Sequence, residues 1–389
     1  MRLLVLTFYF PPDLSAGSFR IGALVHALRD KASPGSSIEV LTTTPNRYAS
    51  FSKPAAPRES LAGIEVIRLR LPRHSGDIRG QSCAFFSYAR QVLRYVARRD
   101  YDLVFATSSR LMTAALGARV ARSKDLPLYL DIRDIFADTM HDLMSARISW
   151  LLDPLLSHLE SWTVRSAVKT NLVSQGFKDY FEARYPTGNF SWFTNGVDDE
   201  FIRLNTMARK RSPAEPIEIL CAGNIGAGQA LNEIVPELAR QLGVRARFTI
   251  VGDGGRRSVL ETAVRGLSNV ELRSPVSRDR LMEYYSSADV LFLHLGGHRA
   301  FEKVLPSKLF EYAALGKPIL AGVGGYAAEF VREKIPNAAV FPPGDVTRAI
   351  SALNSLSLVD SPRTEFVRNY HRKTISLAMA DDIWGLKTG

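Results

Sequence analysis

Lys308 and Glu311 are the residues of this 389-residue chain whose types and spacing first suggest chemistry. Three residues apart in a helix, they share one face. A lysine in the first helical turn is opposed by the helix dipole. A bound anion resolves the conflict, since free N–H groups, the dipole and the ammonium would all point at it. Glu311 then faces the same space and can accept hydrogen bonds from hydroxyls. An anion and hydroxyls at that separation suit a nucleotide diphosphate and its ribose. A plain surface salt bridge between Lys308 and Glu311 satisfies the same spacing.

The stretch around them, residues 305–320, has a clear start and stop. Ser307 is the expected N-cap. Leu309, Phe310 and Ala313 supply apolar faces. Gly316 sits where a left-handed residue is wanted, and Pro318 forbids continuation. Residues 319–321 then form a buried strand.

Other groups are candidates by position. Tyr9 to Ser18, with Pro11, Pro12, Asp13 and Gly17, links a first strand to a helix expected near Arg20; a glycine there lets backbone N–H groups approach a phosphate or sugar, or marks a plain turn. Asp131, Arg133, Asp134 and Asp138 crowd the end of a buried strand, where open α/β sheets place ligand contacts; a helix cap with a local ion pair is the alternative. Gly223, Asn224 and Gly226 follow the first strand of the second half, and Gly252 and Gly254 follow the next. Both suit close backbone approach, yet neither has the full dinucleotide spacing. Arg256 and Arg257 meet phosphate or solvent. His74, His141 and His298 suit structural roles. Residues 85–99 form a basic and apolar helix, with Phe85, Val92 and Tyr95 or Val96 on one face. Such a helix lies on an anionic membrane or covers a sheet.

The elements that must position these groups alternate. Strands are expected at 3–7, 38–43, 64–69, 103–106, 128–130 and 171–173, with helices at 20–28, 84–96 and 153–167 between. A second series follows at 217–222, 248–251, 270–272, 290–293, 319–321 and 339–341. That alternation implies parallel sheets with helices on both faces. The expected division is an N-terminal domain (1–204), a polar linker (205–216), a C-terminal domain (217–365), and a helical tail (366–389) packing back on the first domain. The length allows two domains. A net charge of +11 suggests an anionic partner without choosing among nucleic acid, membrane and phosphorylated substrate. No zinc-finger spacing or RNA-recognition signature is present. No apolar run is long enough to span a bilayer. The apolar start is short, runs into Pro11-Pro12 and lacks a small-residue cleavage site, so it reads as a strand rather than a secretory signal. Cys83 and Cys221 show no metal spacing and suit a reducing cytoplasm.

Taken together and in order, the Pro-Pro-Asp loop with Gly17, Asp131-Ile132-Arg133-Asp134, Thr194-Asn195-Gly196-Val197-Asp198, Gly223-Asn224-Ile225-Gly226, Gly252-Asp253-Gly254 and Pro306-Ser307-Lys308-Leu309-Phe310-Glu311-Tyr312 resemble the retaining glycosyltransferases of family 4, including bacterial surface-polysaccharide members. The resemblance covers nearly the whole chain. It implies the GT-B fold, α/β with two Rossmann-like doubly wound domains facing a central cleft. It implies a nucleotide diphosphate sugar, a UDP-sugar in expectation, bound by the second domain through Pro306, Ser307, Lys308 and Leu309, with Glu311 on the ribose. It further implies a hydroxyl acceptor on the first domain, no metal cofactor, no nucleic-acid partner, and a cytoplasmic or peripheral-membrane site of action. The family often has a glutamate where Lys303 stands, beside Glu302, and an arginine and a lysine where Gln229 and Asn232 stand. Asp131, Arg133, Asp134 and Lys308 are the expected catalytic residues. The basic helix suits a polyprenyl-linked acceptor. A nucleotide-sugar epimerase of the same fold, or a non-catalytic binder of anionic lipid or nucleic acid, are the rival readings.

Overall fold

A strand buried on both faces needs apolar or small side chains at nearly every position. Residues 3–6 and 103–107 meet that demand and are fully buried. In the computed structural model, which describes residues 1–46, 54–72, 78–108, 111–135, 146–203, 212 and 214–386, they pair in parallel at the centre of a sheet. Among the described residues its order is β3-β4-β2-β1-β5-β6-β7-β8. The strands are β1 (Arg2–Leu6), β2 (Ser37–Thr43), β3 (Arg58–Leu61), β4 (Ile64–Leu69), β5 (Leu103–Thr107), β6 (Leu128–Ile132), β7 (Lys169–Leu172) and β8 (Phe190–Ser191). The expected strands are all present. The short edge strands β3 and β8 carry no strong apolar run and were not foreseen; β3 joins β4 antiparallel.

Helices α1 (Ala16–Lys31), α2 (Ile78–Val96), α3 (Leu111–Lys124), α4 (Ala146–Arg165) and α5 (Lys178–Arg184) connect these strands. Ser15 caps α1, its hydroxyl accepting from Ser18 N at 3.1 Å. The helix therefore starts before Arg20, and Gly17 lies in its first turn rather than in the preceding loop. On α2 the buried residues are Ala84, Phe85, Tyr88, Val92 and Val96, so that face covers the sheet.

The second sheet has the order β11-β10-β9-β12-β13-β14. It comprises β9 (Ile217–Ala222), β10 (Ala246–Val251), β11 (Val270–Arg273), β12 (Val290–His294), β13 (Ile319–Gly322) and β14 (Ala338–Phe341). Its neighbours all pair in parallel. Helices α6 (Asp199–Arg203), α7 (Leu231–Leu242), α8 (Arg257–Ala263), α9 (Arg278–Ser287), α10 (Lys308–Ala314), α11 (Gly325–Lys334) and α12 (Val346–Ser355) belong with it. Two apolar clusters, one on each face of this sheet, hold the helices down.

The chain divides into Met1–Asn195 with Arg372–Gly389, and Gly196–His371. The first crossing thus falls in the Thr194–Asp198 motif, earlier than the linker expected at 205–216, most of which lies outside the described residues. Val197 forms a bridge with His371 and donates its N–H to Tyr370 O at 2.8 Å, which places the start and end of the second unit side by side. The tail is two helices rather than one. α13 (Thr364–Asn369) buries Phe366 in the second unit, and α14 (Arg372–Trp384) buries Met379, Ala380 and Ile383 against the first sheet. The sequence pattern is helical through both, so the break at Tyr370 and His371 is a tertiary decision.

Candidate active site

In each sheet the first strand lies inside, with later strands added on both sides. β1 sits between β2 and β5, and β9 between β10 and β12. The strand order therefore reverses beside β1 and beside β9, and ligands of open α/β sheets bind at the carboxyl ends there. Gly223 follows β9, Gly252 follows β10 and His294 ends β12, so the second unit's candidates gather at that edge.

The two glycine loops interlock. Gly223 N donates to Val251 O at 2.7 Å, Ile225 N to Asp253 O at 2.8 Å and Arg256 N to Ile225 O at 2.9 Å. A Cβ on Gly252 would stand 1.8 Å from Gly223 O, so no side chain fits between the loops. Gly226 N donates to Gln229 Oε1 at 3.1 Å, which also takes Asn224 Nδ2 at 2.8 Å. Gly252 N donates to Arg273 O, and Gly254 N to Asp253 Oδ1. The N–H groups of Gly223, Gly226, Gly252 and Gly254 are thus engaged within the protein. These glycines shape the loops and are not spare donors for a phosphate. Arg257 is likewise structural: it donates to Gly252 O and Arg273 O and pairs with Glu261. Arg256 is exposed. From the third loop, His294 Nδ1 donates to Gln229 O at 2.8 Å while Nε2 accepts from Gly344 N at 3.0 Å. Burial pushes this imidazole below its ordinary value, against the pull of the Gln229 carbonyl.

Lys308 lies over the first of these loops. A Cβ on Gly223, whose φ is +118°, would meet Lys308 Cε at 2.5 Å and Nζ at 3.0 Å. The absent side chain is what lets the lysine stem cross there. Among the described residues no ion pair engages Lys308, so the salt bridge with Glu311 is not formed. Its charge reaches Cys221 at the end of β9, whose thiol is raised by burial and pulled back by the lysine.

Helix α10 is fixed from several sides. Tyr312 is fully buried, and its hydroxyl accepts from Ala222 N at 3.1 Å, tying α10 to the end of β9. Its ring meets Tyr285 edge-on at 5.8 Å, and Tyr285 meets Phe201 at 6.0 Å. At the other end Arg363 donates to Ala313 O, Lys317 O and Pro336 O, a cation at a helix C-terminus. Gly316 has φ +73° and a Cβ there would touch Ser361 O, as the expected stop requires. Ser307 does not cap. Its backbone is helical and its side chain makes no capping bond, because the chain enters through a tight turn in which Leu309 N donates to Pro306 O and Phe310 N to Ser307 O. Leu309 is buried in the core, so of the donors expected here the Ser307 and Lys308 N–H groups are those outside the turn. Lys303 is half-buried in the single turn Arg299–Lys303.

Arg278 was missed by the sequence reading. It pairs with Asp198 and Glu200 and lies 5.1 Å from the Phe201 ring. Burial lowers its pKa, but Asp198 outweighs that and Glu311 adds to the effect, so the net shift is upward. Glu311 is therefore set against a fixed cation on α9. The signal was slight, one arginine among several in an exposed helical stretch.

In the first unit, Asp131 is 1% exposed. Its carboxylate accepts from Arg20 Nε and a second guanidinium nitrogen at 2.9 Å each, and from Asn171 Nδ2 at 2.7 Å. Arg20 also holds the Thr194 and Phe193 carbonyls. The structure thus puts Asp131 in a buried scaffold, where both oxygens are occupied. Arg20 was legible in hindsight: it shares the apolar face of α1 with Leu24, Ala27 and Leu28. Arg133 and Asp134 stand just beyond β6. Burial pushes the Arg133 guanidinium down, with Asp134 opposing. Desolvation by its neighbours pushes the Asp134 carboxyl up, and Arg133 pulls it back. Asp138, His74 and His141 lie outside the described residues; His298 is exposed.

Two doubly wound parallel-sheet units, with a lysine crossing the first glycine loop of the second, define the GT-B class of fold. Residues 18–189 match the family described as glycosyl transferase 4-like domain and residues 217–357 match the glycosyl transferases group 1. Together these matches take in most of the chain, which belongs to these glycosyltransferases. Comparison with curated protein sequences gives no match. Among solved structures, sucrose-phosphate synthase from Thermosynechococcus elongatus superposes with a TM-score of 0.75 at 14% identity, covering 99% of each chain. WaaG, a glycosyltransferase involved in lipopolysaccharide biosynthesis, gives 0.64 at 14% identity over 99% of this chain and 100% of its own. Anabaena HepE in complex with UDP gives 0.56 at 14% identity over 98% and 95%. At such identities the likeness is one of fold.

Proposed function

We propose that this glycosyltransferase moves a sugar from a UDP-sugar to a hydroxyl acceptor with retention of anomeric configuration, in the synthesis of a surface polysaccharide or glycolipid. The observation that carries the reading is Lys308, an ammonium without an ion pair among the described residues, laid across Gly223 at the switch point of the second sheet. Glu311, one turn further on, takes the ribose hydroxyls. As the anomeric carbon–oxygen bond breaks, negative charge grows on the leaving diphosphate. Lys308 and the Ser307 and Lys308 N–H groups stabilise that charge more than the ground state. The new bond forms from the acceptor oxygen on the same face, and the acceptor proton passes to the leaving phosphate oxygen. HepE with UDP and WaaG in lipopolysaccharide synthesis support the nucleotide and the setting by analogy of fold.

Arg133 and Asp134 orient the acceptor, while Asp131 holds the scaffold through Arg20. No metal is required in this scheme, so EDTA should leave turnover unchanged. The membrane part of the reading narrows to the outward stripe of α2, Phe86, Arg90 and Arg94, which suits an anionic bilayer. A thermal-shift screen of nucleotide sugars, followed by proton NMR of the product anomer, tests the whole. An inverted anomer, or donor consumption without acceptor, would refute it.

A further inference from the structure

Arg133 is anchored by its backbone, its N–H donating to Ser108 Oγ at 2.9 Å while Ser108 N donates to Asp131 O at 2.9 Å. The side chain is left without a match. Nε is buried with no hydrogen-bond partner, and among the described residues no ion pair engages the guanidinium. Asp131, two residues earlier, helps to hold it charged but gives it no hydrogen bond, since Arg20 and Asn171 occupy that carboxylate. Asp134 is the stronger counter-charge and Asp131 the weaker, while Arg20 and Arg372 stand close enough to repel it. A desolvated cation between like charges is costly unless something completes it. The planar fork of a guanidinium is completed best by a carboxylate or phosphate.

We infer that the acceptor carries an oxyanion, phosphate or carboxylate, and that Arg133 binds it. This rests on reading the first unit as the acceptor side. The site lies at the carboxyl ends of β5 and β6, where such a sheet receives ligands. It deepens that reading by naming the acceptor's charge.

The test uses the full chain with UDP at saturation, so that the donor site is filled. Inorganic phosphate, glucose 6-phosphate, glucuronate and neutral glucose are titrated by calorimetry or ligand-observed NMR. The anionic ligands bind and glucose does not. Arg133→Gln weakens them about tenfold or more, as expected when a bidentate partner is lost. Should Arg133→Gln fail to fold, Arg133→Lys keeps the charge, loses the fork and still weakens glucuronate severalfold. Lys308→Ala loses UDP and keeps the anion. Binding of the hexose phosphate and glucuronate ahead of free phosphate identifies a sugar-borne oxyanion, whereas binding of phosphate alone overturns the acceptor assignment. Equal anion affinity in wild type and Arg133→Gln, or no anion binding while UDP binds normally, overturns the inference and leaves the donor reading intact. Failure of UDP to bind sinks the donor reading instead, and the anion titrations still decide this one.

Discussion

Replacing Lys308 by Ala removes the cation laid across Gly223, and the expected loss can be worked out. A unit charge about 4 Å from a phosphate is worth about 4 kcal/mol at an effective dielectric near 20. Lys308 is half-buried, so solvent takes part of that. About 3 kcal/mol remains, in the range measured for one lost oxyanion donor, or about 100-fold in kcat. Because the charge grows as the bond breaks, kcat should fall more than KM rises. Gly223→Ala supplies an internal check. Its methyl would lie 2.5 Å from Lys308 Cε, and the +118° φ opposes a side chain in any case. In the wild-type background both effects act; in the Lys308→Ala background only the backbone strain remains. A double-mutant cycle on turnover should therefore show coupling. The assay is UDP release with a matched acceptor, alongside thermal unfolding to confirm that both variants fold. Additive effects, or turnover of the folded Lys308→Ala variant within about threefold of wild type, would refute the assigned role.

Other outcomes follow from the same structure. Arg20→Ala strands the Asp131 carboxylate in the core and should cost about 3–5 kcal/mol in urea unfolding, and Arg20→Lys should recover little because the fork is lost. His294 is held neutral, so its folded pKa lies below the ordinary 6.5. Between those values the unfolded chain binds more protons, so stability is full above about 6.5 and is lost as pH falls through the folded value; urea midpoints against pH should show a step that His294→Gln removes. Wild type should sediment with vesicles containing anionic lipid, and the triple variant Phe86→Ser, Arg90→Ser, Arg94→Ser should not. Co-sedimentation that survives the triple change, or salt-independent binding, would remove the α2 stripe from the account.

Much of the fold was readable because buried parallel strands announce themselves. Residues 3–6, 103–107 and 290–294 are apolar at almost every position, and few other structures tolerate that. The edge strands β3 and β8 were not readable, since Arg58–Leu61 and Phe190–Ser191 gain their state from a neighbour's open edge rather than from their own residues. The break between α13 and α14 was hidden for a like reason: helical propensity runs through it, and the Val197–His371 bridge overrides it.

The candidate site divides in the same way. Sequence alone determined that Lys308 and Glu311 share a short helix, that Gly316 ends it, and that glycine loops and an acid-rich segment follow strands. Such features are local, set by spacing, propensity and the demands of a turn. What each polar group does with its charge was decided by the tertiary structure. Lys308 lays its stem across Gly223 and has no ion pair among the described residues, whereas Asp131 is consumed by Arg20, more than a hundred residues away in sequence. Similarly, the loop glycines give their N–H groups to Val251 O, Gln229 Oε1, Arg273 O and Asp253 Oδ1. Hydrogen bonds and ion pairs form between whichever groups the packing brings within reach, and that proximity is a property of the folded chain alone.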